Sequence, residues 1–274
     1  MQPMTTSDPT LTARLDAAIT AARRAAAETL RWFRSDRIEV TVKDDRSPVT
    51  QADLAAEAIL REQLLASFPD DAFLGEESGR SAGSSGYEWV VDPIDGTKSF
   101  IRGVPLYATL VGCRHAGRGV VGVIAIPALD EIVFAARGGG AWHACGQSPP
   151  RPARVSTRCE LAASLVCSSD FTSFGRRADG AAGDAARRRL EAACGIARSW
   201  GDGYGYLLVA TGRAELMVDP LLNAWDAAAV EVVVSEAGGR FSDWHGRQSI
   251  ESGDGVASNG LVHDATLGLL APQP

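Results

Sequence analysis

From Leu11 to Phe33, apolar residues recur at steps of three and four (Leu11, Leu15, Ile19, Ala22, Leu30, Phe33), the spacing of a helix that buries one side. Residues 1–9 before it read as a flexible tail. "RIEVTVKDDRSPVT" alternates briefly as a strand and then breaks into a polar loop containing a proline. Thr50 is placed to open a second helix, with Leu54, Ala55, Ala58 and Ile59 spaced to bury one side. "SFPDDAFLGEESG" then predicts a turn followed by a short extended segment.

Beyond "WVVDPIDGTKSF" (residues 89–100), the runs "YATLVGCR", "GVVGVIAIP", "EIVFAAR" and "GAWHAC" are separated by "HAGR", "ALD" and "GGG". That pattern predicts an antiparallel meander. The proline-rich stretch "GQSPPRPARVS" (146–156) is the candidate boundary between an N-terminal α+β half (10–150) and a C-terminal half (151–274). In the second half, strand-like "ASLVCSS", "ARSW" and "AELMVDP" alternate with helix-like 184–194, "GYGYLLVATG" and "AWDAAAVEVVVSEAGG". Such alternation belongs to an α/β layer.

Composition narrows the function more than the fold. The chain of 274 residues is 45% hydrophobic and 22% charged, as in a soluble globular protein. Its formal net charge of −7 provides no global positive field for nucleic acid or anionic lipid. No apolar segment reaches bilayer-crossing length, and "MQPMTTSDPTL" lacks the apolar stretch of a secretory signal. The five cysteines lack CxxC spacing and read as reduced thiols, so a cytoplasmic protein is expected.

The acidic residues are placed less evenly. Asp92 and Asp95 stand three apart at the end of the apolar run Trp89–Val91, Glu76 and Glu77 lie in "LGEES", Asp53 in "PVTQAD" and Asp226 in "NAWDAAA". Each sits at an element boundary, where side chains of a layered protein converge on one cleft. Convergent carboxylates without cationic partners suit hard divalent cations such as Mg²⁺, which share their oxygen ligands with substrate phosphate. Pro93 stiffens the link between the two aspartates, the Ile94 carbonyl offers another oxygen, and Gly96 and Thr97 open a helix whose amides could receive phosphate. Plainer readings stand beside these: Asp53 as part of a helix cap, Asp226 as a favourable N-terminal charge, and Asp92-Pro-Ile-Asp95 as a turn with an Asx bond.

"GEES", "WVVDPIDGTKSF" and "AWDAAAVEVVVSEAGG", in that order, resemble the motifs of the inositol monophosphatase-like superfamily of metal-dependent, lithium-sensitive phosphatases. The resemblance runs from about Leu11 to Leu270. It implies an αβαβα sandwich of α/β class, a small phosphorylated metabolite as substrate, two to three Mg²⁺ ions per site and a homodimer. By the same resemblance, Glu76, Asp92 and the Ile94 carbonyl bind one ion, and Asp92, Asp95 and Asp226 hold a second. Glu76 also contributes to a weaker third, while Asp53 and Thr97 orient the attacking water. Asp95, Gly96, Thr97 and Asp226 are implied to meet the substrate.

Lys98 is found in histidinol-phosphatases and in some nucleotide 3′,5′-bisphosphate phosphatases of the superfamily, and "ARSWGDGYGYLLVATG" and "KDDRSPVTQAD" resemble the histidinol-phosphatase subgroup, which implies Lys98, Arg198 and Asp219 as substrate-side contacts, with Asp202 as a further candidate. Inositol-1-monophosphatase and 3′(2′),5′-bisphosphate nucleotidase activities remain the alternatives. A non-catalytic binding protein on the same fold is the alternative from another class. Ser99 departs from the asparagine usual among the relatives.

Overall fold

Helix α1 (Pro9–Trp32) starts where the Asp8 carboxylate accepts the amide of Thr10, 2.8 Å away, with Pro9 pre-set in the first turn. In this computed structural model the chain is described at residues 8–36, 38–42 and 48–271; the predicted tail up to residue 7 and the polar loop at 43–47 lie outside the described residues. The buried stripe of α1 is mostly Leu11, Leu15 and a row of alanines, Ala18, Ala21, Ala22 and Ala25. Short side chains let the helix lie close against a sheet, and the expected anchor Leu30 is instead 44% exposed.

Thr50 does open the second helix, α2 (Gln51–Ser67). Its inward face is Ala52, Asp53, Ala56, Glu57, Leu60 and Leu64. The face expected from spacing is therefore rotated: Leu54 is 55% exposed and Ala58 is also exposed, because two carboxylates take inward positions.

The short strands β1 (Val40–Val42) and β2 (Pro48–Thr50) pair with each other. β3 (Ala72–Gly75), β4 (Gly79–Ser81) and β5 (Tyr87–Asp95) lead into a one-turn helix, α3 (Thr97–Ile101). The predicted meander follows as β6 (Ala108–His115), β7 (Arg118–Ile126), β8 (Glu131–Ala136) and β9 (Ala141–Cys145). The proline-rich stretch adds β10 (Arg151–Pro152) to the edge of the same sheet, giving the order β10-β9-β8-β7-β6-β5-β3-β4. Only β3 and β5 pair in parallel within it.

The second sheet begins at β11 (Leu165–Cys167) and runs through β12 (Ile196–Arg198), β13 (Leu216–Asp219), β14 (Arg240–Ser242) and β15 (Gly255–Ser258), in the order β12-β11-β13-β15-β14. Between these strands lie α4 (Ala181–Ala193), α5 (Asp202–Ala210), α6 (Ala224–Glu236) and α7 (His263–Leu270).

The layers explain the burial of the strands. α1 and α2 cover one face of the large sheet, α5 and α6 fill the space between the sheets, and α4 and α7 close the outer face of the small one. With both faces covered, β7 is buried from Gly119 to Ile126 and reads as a continuous apolar run. The result is the five-layer αβαβα sandwich.

Candidate active site

Residues three apart on a regular strand point to opposite faces, so Asp92 and Asp95 would not meet if β5 were straight. The pairing of β5 with β6 shifts register between them. Pro93, which has no amide to donate, sits in that irregularity, and its carbonyl accepts the Thr109 hydroxyl at 2.8 Å. The bulge turns both carboxylates into one cavity of about 400 Å³. Asp226 reaches the same cavity from the first turn of α6, and Asp92, Asp95 and Asp226 have carboxylate oxygens within 4.8 Å of one another. Glu76 lines it from the turn after β3, with Ile94, Gly96, Thr97, Lys98 and Ser99 nearby.

The electrostatics are strained. Burial, then the charges of Glu76, Asp95, Asp226 and Asp53, holds Asp92 well above the ordinary carboxylate range. Asp95 is also held well above it, by burial and then by Asp202 and Asp226, against the amide of Gly203, which donates to its Oδ2. Asp226 is pushed up to about 7, chiefly by burial, although the Asn223 amide donates to its Oδ2 at 2.7 Å. Among the described lining residues, six carboxylates (Glu76, Asp92, Asp95, Asp170, Asp202, Asp226) face one lysine, Lys98. The donors are hard oxygens, and the cluster contains no histidine or cysteine. This donor set and its missing positive charge fit Mg²⁺.

Asp53 makes contacts in two directions. Its Oδ2 accepts the amide (2.8 Å) and hydroxyl (2.6 Å) of Thr50, a helix cap. Its Oδ1 lies 3.5 Å from the Thr97 hydroxyl, which is also 3.2 Å from the Ile94 carbonyl. Burial raises the Asp53 carboxyl above its usual range despite the Thr50 bonds. The Asx bond is present too, since the Ile94 amide donates to Asp92 Oδ1 at 2.9 Å. Gly96 caps α3 with φ of +88°, and a Cβ there would stand 2.5 Å from Asp202 Oδ2. Only glycine meets both conditions.

The substrate-side candidates divide. Lys98 and Asp202 line the cavity. Asp202 opens α5 with a left-handed φ of +53°, and its carboxyl is raised to about 6 by burial and then by Asp219. Asp219 is 1% exposed and lies outside the cavity lining, where it accepts the Ser169 amide (2.9 Å) and the Tyr206 hydroxyl (2.8 Å). It thus fixes the Ser169 segment from behind. Arg198 is on the edge strand β12, exposed, with Nη1 donating to the Ala197 carbonyl at 2.8 Å, and does not line the cavity.

Sequence reasoning missed Ser169 and Asp170, which follow the C-terminal end of a strand that has parallel neighbours, the usual ligand-binding end of such a layer. It also missed Asn223 and Trp225, beside Asp226, and Glu57, one helical turn after Asp53.

Three comparisons bear on what this arrangement does. A profile described as the inositol monophosphatase family matches residues 11–273. A histidinol-phosphatase of Chlorobaculum parvum is 41% identical over 90% of this chain and 92% of its own length. An inositol-1-monophosphatase of Mesorhizobium japonicum is 33% identical over 93% and 95%. The crystal structure of the extragenic suppressor protein suhB from Bartonella henselae superposes with a TM-score of 0.84 at 29% identity, covering 93% of this chain and 97% of that one.

Proposed function

Because the chain belongs to the inositol monophosphatase family and is a phosphoric monoester hydrolase, we propose that it hydrolyses L-histidinol phosphate to L-histidinol and phosphate. The observation that carries this choice is the charge of the cavity, read with the 41% identity to a histidinol-phosphatase. If Glu76, Asp92, Asp95 and Asp226 are taken up by metal, Asp170 and Asp202 remain for the alcohol portion, opposed only by Lys98 among the described lining residues. A neutral polyol leaves that excess of negative charge in place. Histidinol brings an ammonium group to it, and Trp225 offers an aromatic surface for the imidazole.

In this reading Glu76, Asp92, the Ile94 carbonyl, Asp95 and Asp226 hold two to three Mg²⁺ ions. Bound Mg²⁺ supplies charge neutralisation for the phosphate and lowers the pKa of water. The protein's part is positioning and proton transfer. Thr97 Oγ1 accepts a proton from the attacking water and passes its own to Asp53 Oδ1, whose raised affinity for protons suits a base. The first amides of α3, at Gly96 and Thr97, have no acceptor within their own helix and would be available to the phosphate. Asp219 keeps Ser169 beside Asp202, whose amide donates to Ser169 Oγ at 2.9 Å.

A cytoplasmic homodimer completes the proposal, supported by five cysteines outside any disulfide and by Ile196 and Trp200, 46% and 41% exposed, on and just after edge strand β12. Among the described residues no helix is long and apolar enough to cross a membrane.

Steady-state kinetics on histidinol phosphate, inositol 1-phosphate and a nucleotide 3′,5′-bisphosphate test the assignment. We expect kcat/KM for histidinol phosphate to lead by at least about tenfold, the worth of one charge-assisted contact. Equal values for inositol phosphate would reject it.

A further inference from the structure

The turn that carries Glu76 is gripped from outside the cavity by a carboxylate with no role so far. Glu57 is 3% exposed and is not among the residues lining the cavity. Its Oε2 accepts the amide of Glu77 at 2.8 Å and its Oε1 the amide of Ser78 at 2.7 Å. The Glu76 amide in turn donates to the Val91 carbonyl of β5 at 3.3 Å. The turn is thereby pinned to α2 and β5 together.

The neighbouring glycine makes this grip possible. A Cβ at Gly75 would lie 2.4 Å from the carboxyl carbon of Glu57, so a side chain there would expel the carboxylate. Glu57 also stands four residues after Asp53, on the same inward face of α2. One rigid helix therefore carries the carboxylate that faces Thr97 and the carboxylate that holds the Glu76 turn.

We propose that Glu57 is a positioning residue that sets how tightly the Glu76 turn holds a divalent cation. The inference rests on the metal-site reading above. Two charge-assisted bonds order the turn before any ion arrives, so the ordering cost is not taken from binding. A buried carboxylate is an expensive way to close a turn that a neutral cap would close, which argues for a function beyond stability. Groups that orient a ligand in this way typically change metal affinity about ten- to a hundredfold when altered.

The test is Glu57→Gln, which keeps the shape but leaves one acceptor oxygen for two amides. Mg²⁺ binding is measured by calorimetry on metal-stripped enzyme, and in parallel as the Mg²⁺ dependence of p-nitrophenyl phosphate hydrolysis. We expect the Mg²⁺ Kd and activation midpoint to rise about tenfold or more, with kcat at saturating Mg²⁺ within about threefold of wild type. Gly75→Ala should shift Kd the same way, and the double variant should be no worse than the worse single one, because both changes break one contact.

A calorimetric Kd within about twofold of wild type for both single variants overturns the proposal, as does a fall in kcat at saturating Mg²⁺ with unchanged Kd. If wild type itself binds no Mg²⁺, the metal-site reading and this inference fall together. No readout here involves histidinol phosphate, so a preference for another ester leaves the inference standing.

Discussion

Neutralising one member of the acidic cluster should stabilise the metal-free protein while destroying its activity. Asp226→Asn is the cleanest case, because asparagine keeps an oxygen that can accept the Asn223 amide at the start of α6. The Asp226 carboxyl is moved from 3.8 to about 7, chiefly by burial, with Glu76 and Asp219 adding to it. A folded-state value above the unfolded one means that the native protein binds the extra proton between those limits. Stability is then fully present below about pH 4 and is lost as pH rises through 7.

At about 1.4 kcal/mol per pH unit, the displacement costs the ionised, metal-free protein at most about 4 kcal/mol at pH 8. Weakened capping returns about 1 kcal/mol, leaving a net gain of about 2–3 kcal/mol for the variant. For a chain of this size that is roughly 5 °C in Tm. Differential scanning fluorimetry in EDTA at pH 5 and pH 8 reads it directly. The variant should melt about 5 °C higher at pH 8 and close to wild type at pH 5. Mg²⁺ should raise the Tm of wild type and do little for the variant, whose kcat falls by at least about a hundredfold. A variant that melts below wild type at pH 8, or gains the same amount at both pH values, would refute the reasoning that ionised, buried Asp226 costs stability until a cation joins it.

Two other outcomes are expected. Thr97→Ala should lower kcat by about a hundredfold and change KM less than about threefold, since the hydroxyl handles a proton rather than holding substrate; a kcat within twofold of wild type in steady-state assays would remove Thr97 from the path. His263 is buried between the hydroxyls of Ser242 and Ser258, both at 2.8 Å, and burial lowers it to about 4. Here the unfolded chain binds the extra proton, so stability is lost as pH falls from about 6.5 to 4, up to about 3 kcal/mol. Urea unfolding of wild type and His263→Gln across that range should show the difference between them shrinking as the pH falls, and a constant difference would contradict the assigned shift.

What the sequence disclosed, and what it hid, divides along physical lines. The meander was legible because each strand is an apolar run ended by a turn, and every pairing is with the next strand along. The metal-site candidates were legible because Asp92, Asp95 and Asp226 lie within short motifs whose local context is itself unusual. The inward face of α2 was not. Asp53 was singled out by its place in the helix cap and by the resemblance, but nothing marked Glu57, which a hydrophobic-spacing argument assigns to solvent and which is buried with partners 20 and 21 residues away at Glu77 and Ser78.

The placement of Asp219 was hidden for the same reason. Nothing near it in the chain announces that Ser169 and Tyr206 will take both of its oxygens, and only the order β12-β11-β13 brings the ends of β11 and β13 side by side. A buried carboxylate that two donors already satisfy gains little by turning to substrate and would lose both bonds in doing so. Asp202 is placed differently. It lines the cavity and keeps a left-handed backbone in a residue other than glycine, a strain that the fold maintains where its carboxylate faces the cavity. If one acidic group decides between a cationic and a neutral alcohol, the geometry assigns that choice to Asp202, with Asp219 holding the wall on which it stands.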